Sequence, residues 1–508
     1  GRTKAFSHWE GAVSSTEPEI ILTLAEDTAI TAVFADNLYH VDAASTAADP
    51  DGRSWASAYP DIQSAVDAAF AATGGEVWVR EGVYTGTAAT LVTLREGVAL
   101  YGGFAGGETV REARDWENYP TVLDGENARR CVEGADQTVL DGFSITRGYA
   151  MPDYEGGGMR NRSCRPKVSH CVFQDNEAQY GGAIYCTDSD ASISDCFFFE
   201  NRGVVGGGAM LNHFCSPTVE RCVFEGNTST EGGGVYSHFG KPSLSACVFS
   251  RNSALQGGGG LWNSRTSALV MNCLFVANTV YSEYGWQVNG GGIMNSYGSS
   301  MEVVNCTFTE NISSGQGGAL YNQEYAQASL KNSIVWGNEA PEGAGIWSIG
   351  YLANTLASFS CIQGGYEGEG NIAEDPLFAN AAAGDYRLMP GSPCIDTGTP
   401  DGAPAADLLG VPRPVGAGVD MGPYELVPAG FVAVPDLSGL TRAEAEAALA
   451  AAGLAAGVVT EEHSGEVPAG QVIRQTPGAG FYLASGSAVA FVVSLGPPPV
   501  AVPDLTGL

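Results

Sequence analysis

Between residues 156 and 348 the apolar positions come in short runs separated by Gly, Asn and Ser, and the runs recur with one period. One phrase, Gly-Gly-(Gly/Ala) followed by two mostly apolar residues and then Asn, Ser or Cys, occurs eight times, with its third position at Gly158, Ala183, Ala209, Gly234, Gly260, Gly292, Ala319 and Gly345. The spacings are 25, 26, 25, 26, 32, 27 and 26 residues, so one insertion, near Tyr281 to Val288, breaks a steady beat. A second phrase, Cys-x-Phe-x-x-Asn, runs between them at Cys171–Asn176, Cys196–Asn201, Cys222–Asn227, Cys247–Asn252, Cys273–Asn278 and Cys306–Asn311, and fades to Ser333–Asn338. Two interleaved phrases on one period mean a repeat architecture. Each unit predicts three short strands, for example 183–186, 166–168 and 171–173, and no helix. Neither a Leu ladder nor a helical repeat fits, which leaves a mainly β fold, a right-handed parallel β-helix.

Coils of such a solenoid stack at about 4.8 Å, so equivalent residues form columns. Phe173, Phe198, Phe224, Phe249, Phe275 and Phe308 form a core column with the Cys column beside it. The Asn residues form a ladder at a turn, where Asn tolerates left-handed geometry and its amide bonds the coils above and below. After the glycine phrase, strand alternation turns the first apolar residue in and the next one out. That places Tyr185, Tyr236, Trp262, Tyr321 and Trp347 in one outward column, with Leu211 and Met294 between them. An exposed apolar stripe marks a protein interface or a sugar-stacking surface, unless a loop such as Tyr281–Trp286 covers it. These five aromatics are the candidate ligand or partner-binding residues.

The flanks read differently. Residues 1–36 alternate at Ile20–Leu24 and Ile30–Phe34 around an Asp-rich turn, which predicts the closing hairpin of a small β module. Trp9-Glu-Gly11 and the Thr31-Ala-Val-Phe34 ending resemble the C-terminal half of an internalin B-repeat-like module. A helix is expected over 62–72, on Ile62, Val66, Ala69 and Phe70, between Pro60 and Gly74-Gly75, with 76–79 as the first full strand. This resembles the capped opening of secreted right-handed β-helix domains, which predicts 13 to 15 coils over residues 37–426. The Gly-Gly-Ala-Ile and Cys-x-Phe-x-x-Asn phrases resemble those of chlamydial polymorphic outer-membrane proteins and β-helix adhesins. Gly391-Ser-Pro-Cys-Ile-Asp396 and Val419-Asp-Met-Gly-Pro-Tyr-Glu425 resemble the ending common in that class. From Val434 to Ser494 the order of strand, helix capped by Thr441, and strands resembles a PASTA domain over 430–496; 497–508 read as a Pro-rich linker and the start of a second copy. PASTA resemblance implies either peptidoglycan binding or a spacer role.

Charge narrows the partners. Lys plus Arg is 24 against 57 Asp plus Glu, a formal charge of −33, which repels nucleic acid and anionic membranes. No run of apolar residues is long enough for a membrane span, and Gly1 and Leu508 both fall in mid-motif, as in a piece of a longer chain. Most of the 12 Cys follow the coil period and read as buried free thiols, with Cys164 and Cys215 apart from the ladder.

No pair of acids lines the regular coils as a glycoside hydrolase requires, and four Lys disfavour an acidic polymer as substrate. His213 and His238 stack on the outer face without an evident third ligand. Asp42, Asp49 and Asp51 could hold a structural calcium ion or make a solvated turn; no other cofactor is implied. The expectation is therefore a non-enzymatic extracellular or cell-surface module, a stalk, filament or adhesin, whose partners are further copies, other surface proteins, a glycan or peptidoglycan. The alternative is a carbohydrate-active β-helix enzyme.

Overall fold

A computed structural model of the protein describes residues 4–11, 30–282 and 288–497, with the side chains of 4–11, 30–36 and 151–153 left aside. The chain is mainly β, with a β-solenoid of about 11 turns, fewer than the 13 to 15 coils expected because the last coil strand ends at Ile362. It divides into two compact units, residues 1–330 with 335–357, and residues 331–334 with 358–508.

The first unit opens with Lys4–Gly11 paired antiparallel to Ile30–Asp36; Ile20–Leu24 lie outside the described residues. The solenoid begins one strand earlier than expected, because Leu38–Val41 already pairs in parallel with Gly75–Arg80. Between them runs helix α1 (Ile62–Ala71), capped by the Asp61 carboxylate, which accepts from the Ser64 N–H. Ile62, Ala65, Val66 and Ala69 are buried beneath it, while Phe70, expected on that face, is exposed.

A regular turn has four strand segments rather than three. In one coil they are Glu177–Tyr180, Ile184–Thr187, Ser192–Ser194 and Phe197–Phe199. The first belongs to a separate seven-stranded sheet, which polar residues such as Glu177 and Gln179 conceal in the sequence. Left-handed residues turn the chain at the four corners, here Gly181, Asp188, Asp195 and Glu200. Only the first is regularly glycine. At the others the backbone N–H still pairs with the next coil: Asp188 donates to His213 O at 3.1 Å, Asp195 to Glu220 O at 3.0 Å and Glu200 to Glu225 O at 3.1 Å. The ladder thus continues through the corners and offsets the conformational cost.

The Asn ladder is present but works differently from expectation: the left-handed residue is the one before each Asn, not the Asn itself. Asn252 shows the pattern. Its N–H and its Nδ2 donate to Asn278 Oδ1 at 3.1 and 2.9 Å, Nδ2 also donates to Phe224 O at 2.8 Å, and its Oδ1 accepts from Asn227. Every member from Asn176 to Asn338 is buried. Beside it the Phe rings stack with centroids 4.6 to 5.1 Å apart. All 12 Cys are free and buried; the ladder thiols, such as Cys196, point at backbone carbonyls. Cys164 and Cys215 are equally buried.

In the second unit the Gly391–Asp396 and Val419–Glu425 motifs form a buried polar clasp. Arg413 Nε donates to Glu425 Oε1 at 2.8 Å, and Glu425 Oε2 accepts from the Val415 N–H. Asp420 accepts from the N–H groups of Asp396 and Leu426. Farther on, α2 (Arg442–Ala451) carries a capping box between Thr441 and Glu444. Ala445 and Leu449 pack with Val434, Leu437, Leu454, Val472, Val489, Phe491 and Val493 against the sheet of Ala455–Glu462, Ala488–Ser494 and Val472–Thr476.

Two outcomes follow. Asn252→Ala strips partners from Asn227, Phe224 and Asn278 at once and lowers stability by about 3 kcal/mol or more, read from urea unfolding. Burial, then the neighbouring Glu425, raises the Asp420 pKa from 3.8 to about 7. The folded state therefore holds a proton that the unfolded chain has released. Stability from this group is full below about pH 4 and is lost as pH rises to about 7. Asp420→Asn removes that fall, so the wild type gains on the variant as calorimetry moves from pH 7.5 to pH 4.

Candidate functional site

Strand register places Tyr185, Leu211, Tyr236, Trp262, Met294, Tyr321 and Trp347 side by side in successive coils, as their alternation predicts. The stripe is not exposed, however. Tyr185, Trp262 and Tyr321 keep 8%, 6% and 4% of their surface, and Tyr236 and Trp347 are half-buried. The cause is the first glycine of each phrase. Left-handed Gly258 bends the chain so tightly that a Cβ there would lie 2.8 Å from Trp262 Cβ, and Gly317 meets Tyr321 Cβ at the same 2.8 Å. Each ring thus lies in a re-entrant corner floored by glycine. The rings also cover one another: Tyr236 and Trp262 are 5.4 Å apart, and Trp262, Met294 and Tyr321 form one cluster. Trp262 Nε1 donates to Ser296 Oγ at 2.8 Å. Of the loop expected to cover the stripe, 283–287 lie outside the described residues, and Tyr281 is exposed.

Two residues along each strand is the next outward column, where His213 and His238 stack at 5.3 Å. Arg265 Nη1 lies 3.4 Å from His238 Nε2. Burial, then His213 and Arg265, lowers the His238 pKa, so this ring is neutral near pH 7. The Tyr236 phenol, 6.2 Å from it, is pushed up to about 12 by burial and then Glu231, whose own carboxyl is raised by burial. Among the described residues no three His, Cys, Asp or Glu side chains gather around a common point. The Asp42 carboxylate pairs with Arg80 at 2.8 Å, and Asp51 accepts from Arg53 N and Ser57 Oγ.

Exposed aromatics lie just beyond it at the left-handed corner, one position further at Phe214, Phe239 and Tyr297 and two at Tyr325, where Glu324 takes the corner position itself. Phe214, Phe239, Arg265, Tyr297 and Tyr325 all have positive φ, between 53° and 63°. Phe214 and Phe239 stack at 4.5 Å, and the Arg265 guanidinium lies over both Phe239 and Tyr297. Phe214, Tyr297 and Tyr325 keep 51%, 47% and 53% of their surface. Bulky rings are disfavoured at positive φ, a cost that the corner N–H bond offsets here as at the other corners, Phe214 N donating to His238 O at 3.0 Å. The repeated His-Phe pairs at 213–214 and 238–239 carried this signal, one coil apart.

A family model for the right-handed β-helix region matches residues 130–280 and 183–360, and one for the PASTA domain matches 432–495. The chain thus contains a right-handed β-helix region followed by a PASTA domain. Over 78 residues it is 44% identical to a probable serine/threonine-protein kinase of Corynebacterium efficiens, and over 79 residues 41% identical to the probable serine/threonine-protein kinase PknB of Corynebacterium glutamicum. Each match covers 15% of this chain and 12% of the relative. Among solved structures, the A-module of the mannuronan C-5 epimerase AlgE6 of Azotobacter vinelandii is similar at 15% identity and a TM-score of 0.26, over 62% of this chain and 94% of that one. The AlgE4 A-module follows at 14% and 0.23, over 66% and 100%.

Proposed function

We propose that the protein is a non-catalytic adhesive or structural module of a large bacterial surface or secreted protein, working outside the cell. Its β-helix coils, which begin at Leu38, serve as a rigid support. Its contact strip is the exposed corner of Phe214, Phe239, Arg265, Tyr297 and Tyr325, widened by the half-buried edges of Tyr236 and Trp347. One observation carries this reading: aromatic rings are held in solvent at corners where backbone geometry disfavours them. Flat rings with a guanidinium between them suit a protein surface or a sugar face. Residues 1–36, as the end of an internalin-like module, and 430–496, as a PASTA domain, would act as spacers, the latter with peptidoglycan as a second ligand.

A specific cluster favours a second reading, a carbohydrate-active enzyme. The Tyr236 and His238 rings stand on the same side of one strand, with centroids 6.2 Å apart.

The triple variant Phe214→Ser, Tyr297→Ser, Tyr325→Ser tests the first reading. It should lose self-association by light scattering, or capture on a glycan array, at least tenfold, while circular dichroism is unchanged. Binding at the parental level by both assays contradicts the strip. New reducing ends or unsaturated sugars from a polysaccharide panel, abolished by His238→Ala, would establish the enzyme instead.

A further inference from the structure

The last coil strand, Cys361–Ile362, carries a thiol that is out of step with the ladder. Ladder side chains reach back to the carbonyl two residues earlier, as the Cys247 thiol does to Ser245 O at 3.2 Å. In the two closing coils Ser333 Oγ and Ser360 Oγ make that bond, to Lys331 O at 3.0 Å and to Ser358 O at 2.9 Å. Ser360 therefore holds the inward place, and strand alternation turns Cys361 to the outer face. Yet Cys361 is fully buried. The chain that follows folds back over it: Ile362 N donates to Ile372 O at 2.9 Å, and the Cys361 thiol donates to Glu374 O at 3.1 Å.

Cys394 comes to the same place from the clasp. Ser392 Oγ donates to Pro376 O at 2.6 Å and accepts from the Cys394 N–H at 3.2 Å. Residues 374–376 thus touch Cys361 through one carbonyl and hold the turn of Cys394 through another. The Cys394 carbonyl accepts from Met421 N at 2.9 Å, which fixes its backbone, and its side chain is fully buried. The two thiols are in contact: the Cys361 thiol beside it, and then burial, push the Cys394 thiol well above the usual range.

We infer that Cys361 and Cys394 close as a disulfide when the chain folds in the presence of an oxidising small-molecule disulfide, and so staple the last coil to the clasp. One thiolate attacks the S–S bond of the oxidant and expels a thiolate; the other attacks the resulting mixed disulfide and expels the second. The protein loses two protons and two electrons, and the oxidant takes them up as two thiols. The ladder thiols do not compete. Cys222 and Cys247 make the same bond, to Glu220 O and to Ser245 O, so they are parallel copies one coil apart, whereas a disulfide needs side chains that turn toward each other. Cys361 and Cys394 come instead from opposed segments, a strand face and the chain lying on it. Because both thiols are buried in the folded chain, the oxidant must act before the clasp closes. The inference is independent of the corner strip and holds whether or not that strip makes contacts.

Refolding of the full chain from urea in a buffer of glutathione and glutathione disulfide tests it, with free thiols alkylated under denaturing conditions and peptides read by mass spectrometry. A single disulfide is expected, in a peptide that links Cys361 to Cys394 and is about 2 Da lighter than its two thiol halves together, while every other Cys is alkylated. The same result is expected of the chain exported to a bacterial periplasm, so a poor refolding yield does not decide the outcome. Cys394→Ala should leave Cys361 alkylated and create no other bond. Both thiols alkylated in a chain with its native circular dichroism would overturn the staple, and a bond between ladder neighbours such as Cys222 and Cys247 would overturn its selection.

Discussion

The structure depends on one hydrogen-bond ladder that does not stop at corners. In most parallel sheets the inter-strand bonds end where the strand ends, and the loop finds other partners. Here Asp188, Asp195 and Glu200 turn the chain left-handed while their N–H groups still donate to the coil above. Where the inward-turning N–H would find no carbonyl, it meets an Asn side chain, as Asn201 N meets Asn227 Oδ1 at 3.0 Å. Every coil is therefore clamped to the next around its circumference, and register has little freedom to slip.

That constraint decides which aromatics are available for contact. Because coils cannot shift, the rings after the glycine phrase must lie one above another, and the glycine bend leaves them a corner to fill. They become a second, smaller core on the outside of the strands. The next corner has no such recess, so the rings of Phe214, Tyr297 and Tyr325 stand in solvent. The same frame holds Cys361 in place, since its N–H donates to Ser333 O at 2.8 Å.

Much of this was legible in the residues. The Phe and Cys columns, the Asn ladder, the capped helix before the first coils and the PASTA-like module follow from period and capping signals, because core and turn positions are restricted to few residue types. The fourth strand segment was not, since Glu177, Gln179 and Arg202 look like loop and pair only because neighbouring coils do. Alternation placed Tyr185 to Trp347 on the outward side correctly but not their exposure, which depends on how tightly Gly258 and Gly317 bend the chain. The meeting of Cys361 with Cys394 lay beyond the repeat altogether. It is made by the closing segment folding back over the last coil, a contact between residues with no shared pattern.

The central claim is that the solvent-facing aromatics are those of the left-handed corner and not those of the strand column. Hydroxyl-radical footprinting of the full chain, read peptide by peptide in a mass spectrometer, measures this directly. The account predicts fast oxidation of Phe214, Tyr297 and Tyr325 and strong protection of Tyr185, Trp262 and Tyr321. Oxidation of Trp262 and Tyr321 as fast as that of Phe214 would contradict it.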